Sequence, residues 1–468
     1  MATTSTHPSS SNGFTNGTKT KGGADASQVT FEVAVVGGGI IGVMTALGLF
    51  HRGMRVSVYE RADDYPEVGV GMAFTGVARE CMQQLDPRVL DALKRVGEEN
   101  RHAMNRYWDG FNPATKETAQ SADDALLFQM SARELAYWGC LRSRFLLEMA
   151  AELPEGVVKF GKQLVSAVDD ERSEKVVLRF ADGSEAEADA VVGCDGIHSQ
   201  TRKVVLGKDN PAASPGFAHQ VAYRAIVPIA EAVAALGEDK ANNQCAHFGP
   251  NALIISYPVA NWTLSNIAVF LHHPKPWPDP NKLTAPGVRE EVASALRDWS
   301  PAIRDLVSRF PEKLAKWAIF DTADNPAPTY ALGRVCVAGD AAHASSPFHG
   351  AGACMGVEDA TVLAVTLGAA LAEVRTGNIT NKPAAIRAAL RSFSDVCIER
   401  SQWLVRSSRE TGEISEWRYP GTGSDAEKCR AEFEARSRKI WDFDVGQLVE
   451  RAESEFERQL KFAKAHRQ

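Results

Sequence analysis

Val33-Ala-Val-Val-Gly37-Gly-Gly39-Ile-Ile-Gly42 is the stretch whose reading decides the fold. Val33 to Val36 is an apolar run of the kind that forms a buried parallel strand. Gly37, Gly39 and Gly42 follow at the G-x-G-x-x-G spacing, Ile41 to Phe50 continues as an apolar helix, and a second apolar run, Val56 to Tyr59, ends at Glu60. This is a βαβ unit with an acid at the tip of its second strand. Gly37 suits the tight turn, Gly39 lets backbone approach a pyrophosphate, and Gly42 lets helix and strand pack closely. The helix N-terminus offers unpaired N–H groups and the positive end of its dipole to phosphates. Glu60, 18 residues past Gly42, stands where a carboxylate accepts hydrogen bonds from ribose hydroxyls. Two plainer readings compete: a ligand-free glycine turn, and a membrane span over Val33 to Phe50. The 18 apolar residues reach only the lower limit for a span. The clustered glycines and the strand after them argue against it, and no integral membrane segment is expected.

The chain has 468 residues, more than one small core accommodates, so two or three lobes are expected. Its net charge of −7 gives no electrostatic footprint for nucleic acid. The eight cysteines are scattered, with no C-x-x-C, which suits reduced thiols and a cytoplasmic location rather than a disulfide frame or a zinc site. No basic start followed by an apolar run marks a signal peptide.

Outward from the glycines, residues 1–29 are rich in Ser, Thr, Asn and Gly and read as a disordered tail. Glu67 to Phe74 reads as a loop with two glycines, Leu85 to Val96 and Arg144 to Leu153 as amphipathic helices, and Val176 onward as a strand, a turn and a strand. Ala188 to Gly193 reads as a buried strand leading into Cys194-Asp195-Gly196. After Lys208 come short β-rich runs (220–227, 244–248, 253–259, 264–271), expected to form an antiparallel second lobe. Pro286 to Phe310 reads as helical, broken at Pro301. Val335 to Ala338 is another buried strand, ending in Gly339-Asp340, and Gly350 to Leu371 passes from glycine-rich turn to long apolar helix. Residues 385–468 read as largely helical.

Three nucleotide-type signals thus lie far apart: Gly37 to Glu60; Gly193-Cys-Asp195-Gly196 with Ser199 and Arg202; and Gly339-Asp340-Ala-Ala-His343 with Pro347 and Gly350 to Gly356. Asp340 closes a buried strand, where open α/β sheets bind ligands and where a carboxylate suits a polyol. For both Asp195 and Asp340 the competing reading is a helix N-cap. The three motifs, in this order, resemble the aromatic hydroxylases among single-component flavoprotein monooxygenases, the para-hydroxybenzoate and salicylate hydroxylase group, over roughly residues 30 to 375. Arg142, Ala73 and Ala353 match that family's flavin-contacting positions; their plainer readings are a solvated helix charge and simple small-residue packing.

A further set of segments resembles the fungal dearomatising hydroxylases of azaphilone, tropolone and sorbicillinoid pathways: Gly71-Met-Ala-Phe74, Tyr223-Arg224, Ala235 to Lys240, His247 to Asn251, Tyr257 to Ala260 and Ile440 to Asp444. That resemblance implies a phenolate-holding arginine at Arg224 and a positioning tyrosine at Tyr257. The plainer readings are an edge-strand arginine facing solvent and a core tyrosine. A flavin hydroperoxide is electrophilic, so a fixed cation that favours phenolate over phenol suits the chemistry. His247, His343 and His349 could be pocket residues, are more often structural, and make no metal site.

The expected fold is α/β: a Rossmann-type FAD-binding domain (30–208 and 326–375), an inserted antiparallel β-sheet substrate domain (209–325) and a helical C-terminal region (376–468). The resemblance implies non-covalent FAD, transient NADPH or NADH, molecular oxygen, and hydroxylation of a phenolic polyketide aldehyde or ketone with dearomatisation. A decarboxylating salicylate-type hydroxylase, an FAD-dependent dehydrogenase and a flavin redox sensor are the alternatives. A homodimer is left open.

Overall fold

Residues 29–465 are described by a computed structural model, apart from 66–70, 100–103, 113–125, 132–136, 171 and 281. The expected tail therefore lies outside the described residues except for Val29, as does the Glu67–Val70 part of the expected glycine loop. The described remainder of that loop, Gly71–Phe74, is a strand, paired with Trp138–Leu141.

The apolar runs named above assemble into one six-stranded sheet in the order Ala331–Leu332, Val335–Val337, Ala190–Gly193, Glu32–Val36, Arg55–Tyr59, Val158–Lys159. All pairs but the first are parallel. Val36 pairs with Tyr59 on one side and Gly193 on the other, and Gly193 pairs with Val337. Four chain segments therefore leave the sheet at one edge: Gly37, Glu60, Cys194-Asp195 and Ala338-Gly339-Asp340. From Glu32–Val36 the chain goes first to one side and later to the other, so this edge is a topological switch point, where open α/β sheets bind ligands. Val33 to Phe50 is thus a strand and a helix, Ile40–His51, and not a membrane span. Helix Gly352–Arg375 is long and apolar enough to cross a bilayer, but 83% of that stretch is buried, as expected of a core helix.

The run Ala188 to Gly193 divides. Glu185–Ala188 belongs to a three-stranded antiparallel sheet, and the deep strand starts only at Ala190. Asp189 turns the chain between them: its buried carboxylate accepts the Glu32 N–H at 2.7 Å and pairs with Lys175 and Lys382.

The second large sheet has eight strands: Thr284–Val288, Lys313–Asp321, Gly216–Pro228, Leu264–His272, Ala252–Val259, Cys245–Gly249, Met104–Asp109 and Leu126–Ser131. It is antiparallel except where Cys245–Gly249 runs alongside Met104–Asp109. Those last two strands come from well before residue 209, a pairing that local periodicity cannot show. One face packs Val221, Tyr223, Ile254, Ile267 and Val269 against helices Arg289–Ala295 and Pro301–Ser308. The other carries Ala222, Leu253 and Phe270.

Local readings are corrected in two more places. Leu85 to Val96 is the end of one helix, Gly76–Leu85, and the whole of another, Pro87–Val96. Asp86 separates them; it is extended (φ −164°) and its side chain caps the second helix, with Pro87 at the first helical position. Pro286 lies in the edge strand Thr284–Val288, where a residue without an N–H is tolerated. Helix begins only at Arg289. Three helices, Lys382–Ser415, Ala426–Trp441 and Val445–Ala465, close the chain.

Candidate active site

At the sheet edge Gly37 adopts φ +102°, and a Cβ there would stand 2.4 Å from the Cys194 carbonyl oxygen. A Cβ on Gly42 would stand 1.9 Å from the Gly37 carbonyl oxygen, so the turn and the helix close on each other with no room for a methyl group. Glu60 fastens the same turn: its carboxylate accepts the Gly38 N–H at 2.6 Å and the Ala62 N–H at 2.9 Å. The Arg142 guanidinium comes within van der Waals reach of Gly39, 3.7 Å from where a Cβ would be. The expected Arg142 and Gly37–Gly42 positions are thus brought together, although Arg142 lies about a hundred residues later in the sequence.

Asp340 lies opposite. Its side chain is open to the crevice yet ringed by protein. Desolvation raises its pKa, with His343 and Arg142 pulling the other way. Strand Gly71–Phe74, which carries Ala73, meets the start of helix Gly352–Arg375, which carries Ala353: the Cys354 thiol donates to the Ala73 carbonyl at 3.9 Å. Asp195 is used differently. Its carboxylate accepts the Ser199 hydroxyl at 2.5 Å and the Gln200 and Thr201 N–H groups at 2.8 and 3.0 Å, capping helix Gln200–Leu206. Its carboxylate is thus engaged within the protein. Arg202 is fully buried and donates to the carbonyls of Ala212, Ala341 and Ala342, bracing the Asp340 turn from behind.

Two of the three histidines, His343 and His349, are held by side-chain hydrogen bonds. His343 and Asp359 are both 1% exposed and meet at 2.6 Å, and the same Asp359 oxygen accepts the Gly339 N–H at 2.8 Å. His349 bonds Ser407 and Thr411, and burial pushes its pKa down to about 3, which keeps it neutral. His247 is buried and likewise pushed down to about 3, by burial and then by Lys240. Among the described residues no group of ligands suits a metal ion.

The crevice fits a flavin dinucleotide. Two helices, Ile40–His51 and Gly352–Arg375, begin there with no side chain capping either. Their free N–H groups and dipoles suit phosphate and a charged ring. Glu60, Asp340 and Arg142 are the polar side chains along it that could meet such a group, and the glycines leave clearance for backbone approach.

The second sheet is reached from this crevice through Phe348, which lies between helices Asp340–His343 and Gly352–Arg375 and packs on Phe270. Arg224 pairs with Ala268 and Tyr257 with Asn266, on strands that flank Leu264–His272; because the partners are two residues apart, both side chains project to the same face. The strand of Arg224 is not an edge strand, since both of its sides are paired. Arg224 is nevertheless exposed, over the Trp317 ring at 5.9 Å. Burial raises the pKa of Tyr257 and the charge of Arg224 lowers it, so the two groups lie within each other's field. Trp317, Phe270 and Phe348 complete the apolar floor, with Phe270 and Phe348 5.2 Å apart. The sequence reading missed these three. The alternating run Lys313–Asp321 would have given Trp317 its strand, but no local pattern gives its face.

A glycine-lined switch-point crevice of this kind marks a dinucleotide-binding protein. Known proteins carry the identification further. The FAD binding domain family matches residues 30–387. The chain is 57% identical over 436 residues to an FAD-dependent monooxygenase of Aspergillus terreus (strain NIH 2624 / FGSC A1156), covering 93% of this chain and 99% of that one. It is 44% identical over 455 residues to the salicylate hydroxylase asL1 of Sarocladium schorii, covering 92% of each. A solved salicylate hydroxylase substrate complex superposes with a TM-score of 0.76 at 28% identity, over 90% of this chain and 98% of that one. The chain belongs to the FAD binding domain family. It is an FAD-dependent monooxygenase, in a family whose reductant is NAD(P)H.

Glu60→Ala and Asp340→Ala are each expected to weaken FAD binding. The loss of an acceptor at a partly desolvated site costs about 1–3 kcal/mol, roughly 10- to 100-fold. Titration of flavin fluorescence measures this, and parental affinity in both variants would remove the two carboxylates from the cofactor site.

Proposed function

We propose that this monooxygenase hydroxylates the ring of a phenolic polyketide aldehyde or ketone, at a substituted carbon, giving a dearomatised hydroxydienone. What supports this reading is that Arg224 and Tyr257 share one sheet face with Trp317 and Phe270, and that Phe270 packs on Phe348 next to helix Gly352–Arg375. The overall reaction consumes the phenol, O2, NAD(P)H and a proton. It returns the hydroxylated product, water and NAD(P)+. FAD, held without a covalent bond by Gly37, Gly39, Gly42, Glu60, Arg142 and Asp340 and by the backbone near Ala73, Asp195 and Ala353, supplies the redox and oxygen-activating chemistry. The protein's part is to prepare the ring. Arg224 holds the substrate oxygen as phenolate, which places electron density at its ortho and para carbons. Tyr257 donates to that same oxygen and fixes which carbon faces the cofactor. The floor of Trp317, Phe270 and Phe348 excludes water, which strengthens the charge pairing. The eight free cysteines fit a cytoplasmic setting.

The direct test is incubation with a panel of resorcylic aldehydes plus NADPH, read by product mass and loss of aromatic absorbance. A gain of one oxygen with loss of aromaticity supports the reading. The likeness to salicylate hydroxylases favours one competing reading, decarboxylating hydroxylation, and loss of carbon dioxide from a salicylate would establish that instead.

Tyr257→Phe keeps the packed ring and removes the polar tip. The variant is expected to fold, retain FAD and consume NADPH, yet turn less of that consumption into product and release more hydrogen peroxide. Product formed per NADPH oxidised is the measurement. A fully coupled variant as fast as the parent would make Tyr257 a packing residue.

A further inference from the structure

The segment between helix Asp340–His343 and helix Gly352–Arg375 holds only one 3-10 turn, Pro347–His349, followed by Gly350 at φ +62°. It sits between the two halves of the active site. Phe348 touches Phe270 of the substrate sheet, and Gly352 opens the uncapped helix of the cofactor crevice. Its position therefore sets the distance between cofactor and substrate. Little in its own backbone holds it there.

What holds it comes from elsewhere. Asp321, at the end of strand Lys313–Asp321, is 0% exposed and accepts the Ser346 hydroxyl at 2.5 Å. Arg409, on helix Lys382–Ser415, grips the same carboxylate: its Nε donates to Oδ2 at 3.1 Å and its Nη2 bonds Oδ1. Arg409 also reaches Asp324 at 2.5 Å. The preceding residue, Ser408, donates to the Ser346 carbonyl at 2.5 Å, and a Cβ on Gly412 would meet the Phe348 ring at 2.6 Å. A buried carboxylate needs a counter-ion, and without one it protonates or moves. The hold on the Ser346 hydroxyl then depends on Arg409, while Ser408 and, through His349, Ser407 and Thr411 tie the same segment by their own hydrogen bonds.

We infer that Arg409 is a positioning residue for hydroxylation: through Asp321 it pins Ser346, and so fixes the Ser346–Gly352 segment between the substrate sheet and the cofactor. The inference rests on the cofactor and substrate placement proposed above. Displacing reacting groups by about 1 Å costs on the order of 100-fold in rate, so a loosened segment wastes reducing equivalents before it loses the cofactor.

The test uses the flavin-loaded protein and the variants Arg409→Leu, Asp321→Asn and Ser346→Ala, with Arg409→Lys as rescue. Two readouts apply: the visible circular dichroism of bound flavin, which reports the ring's surroundings without substrate, and product formed per NADPH oxidised with an aldehyde the parent converts. All three variants are expected to retain FAD, to change the flavin dichroism, and to lower coupling about tenfold, consistent with sub-ångström to ångström misplacement. Arg409→Lys restores part of it, because charge returns without the planar fork. Arg409→Leu with Asp321→Asn should be no worse than Arg409→Leu alone, as expected of residues acting in series. Ser346→Ala, which removes only a hydroxyl, decides the matter if a larger change prevents folding. Parental dichroism and coupling in Ser346→Ala overturn the inference. If no phenolic aldehyde is turned over by the parent, the substrate reading fails alone, and unchanged flavin dichroism across the variants still overturns the positioning role.

Discussion

Gly42→Ala is expected to give a colourless protein. The added methyl group would stand 1.9 Å from the Gly37 carbonyl oxygen, and its obstacle is backbone, which cannot rotate aside as a side chain does. Gly37 cannot yield either. It sits at φ +102°, donates its N–H to the Tyr59 carbonyl at 2.8 Å, and closely approaches Cys194. Relief must come from moving helix Ile40–His51 off the sheet, which disturbs a core centred on Val43, Met44 and Leu47, all 0% exposed. Overpacking of this kind costs about 3 kcal/mol, and it falls where the helix N-terminus meets the dinucleotide. The flavin-to-protein absorbance ratio and the melting temperature measure the outcome. A yellow variant with parental stability would show that this turn tolerates a Cβ and does not cradle the cofactor.

Arg224→Ala should leave FAD content and stability nearly parental and remove most hydroxylation, by about 100-fold or more, the usual cost of losing one preorganised charge donor. The expectation of an intact fold follows from exposure: the side chain is exposed and lies over the Trp317 ring, so its removal orphans no buried charge. Arg224→Lys should recover activity only partly, because the ammonium keeps charge without the planar fork. Turnover and coupling with a converted resorcylic aldehyde check both. Near-normal turnover in a flavin-loaded Arg224→Ala variant would falsify the phenolate role.

The sequence went furthest where chemistry is local. Gly37, Gly39, Gly42 and Glu60 lie within one βαβ unit, where spacing alone implies geometry, and the structure has that geometry. It went less far at Asp195 and Asp340. Both are acids following buried strands, and in sequence they look alike. In the fold one caps a helix with its whole carboxylate and the other faces the crevice. The difference is position: Asp195 stands several residues ahead of helix Gln200–Leu206 and its carboxylate folds onto that helix start, whereas Asp340 is itself the first residue of helix Asp340–His343.

What the sequence by itself determined is the class of fold and the glycine turn of its first βαβ unit, because strand and helix periods and glycine spacing are properties of neighbouring residues. Tertiary structure alone decided the rest. It joined Met104–Asp109 and Leu126–Ser131 to the substrate sheet, brought Arg142 to Gly39, and put Arg224, Tyr257 and Trp317 on one face. It also made Asp321, Ser346 and Arg409 into one connection across three elements. These pairings are set by burial and by the need to partner buried charge, which depend on what the rest of the chain brings alongside and leave no pattern in the residues on either side.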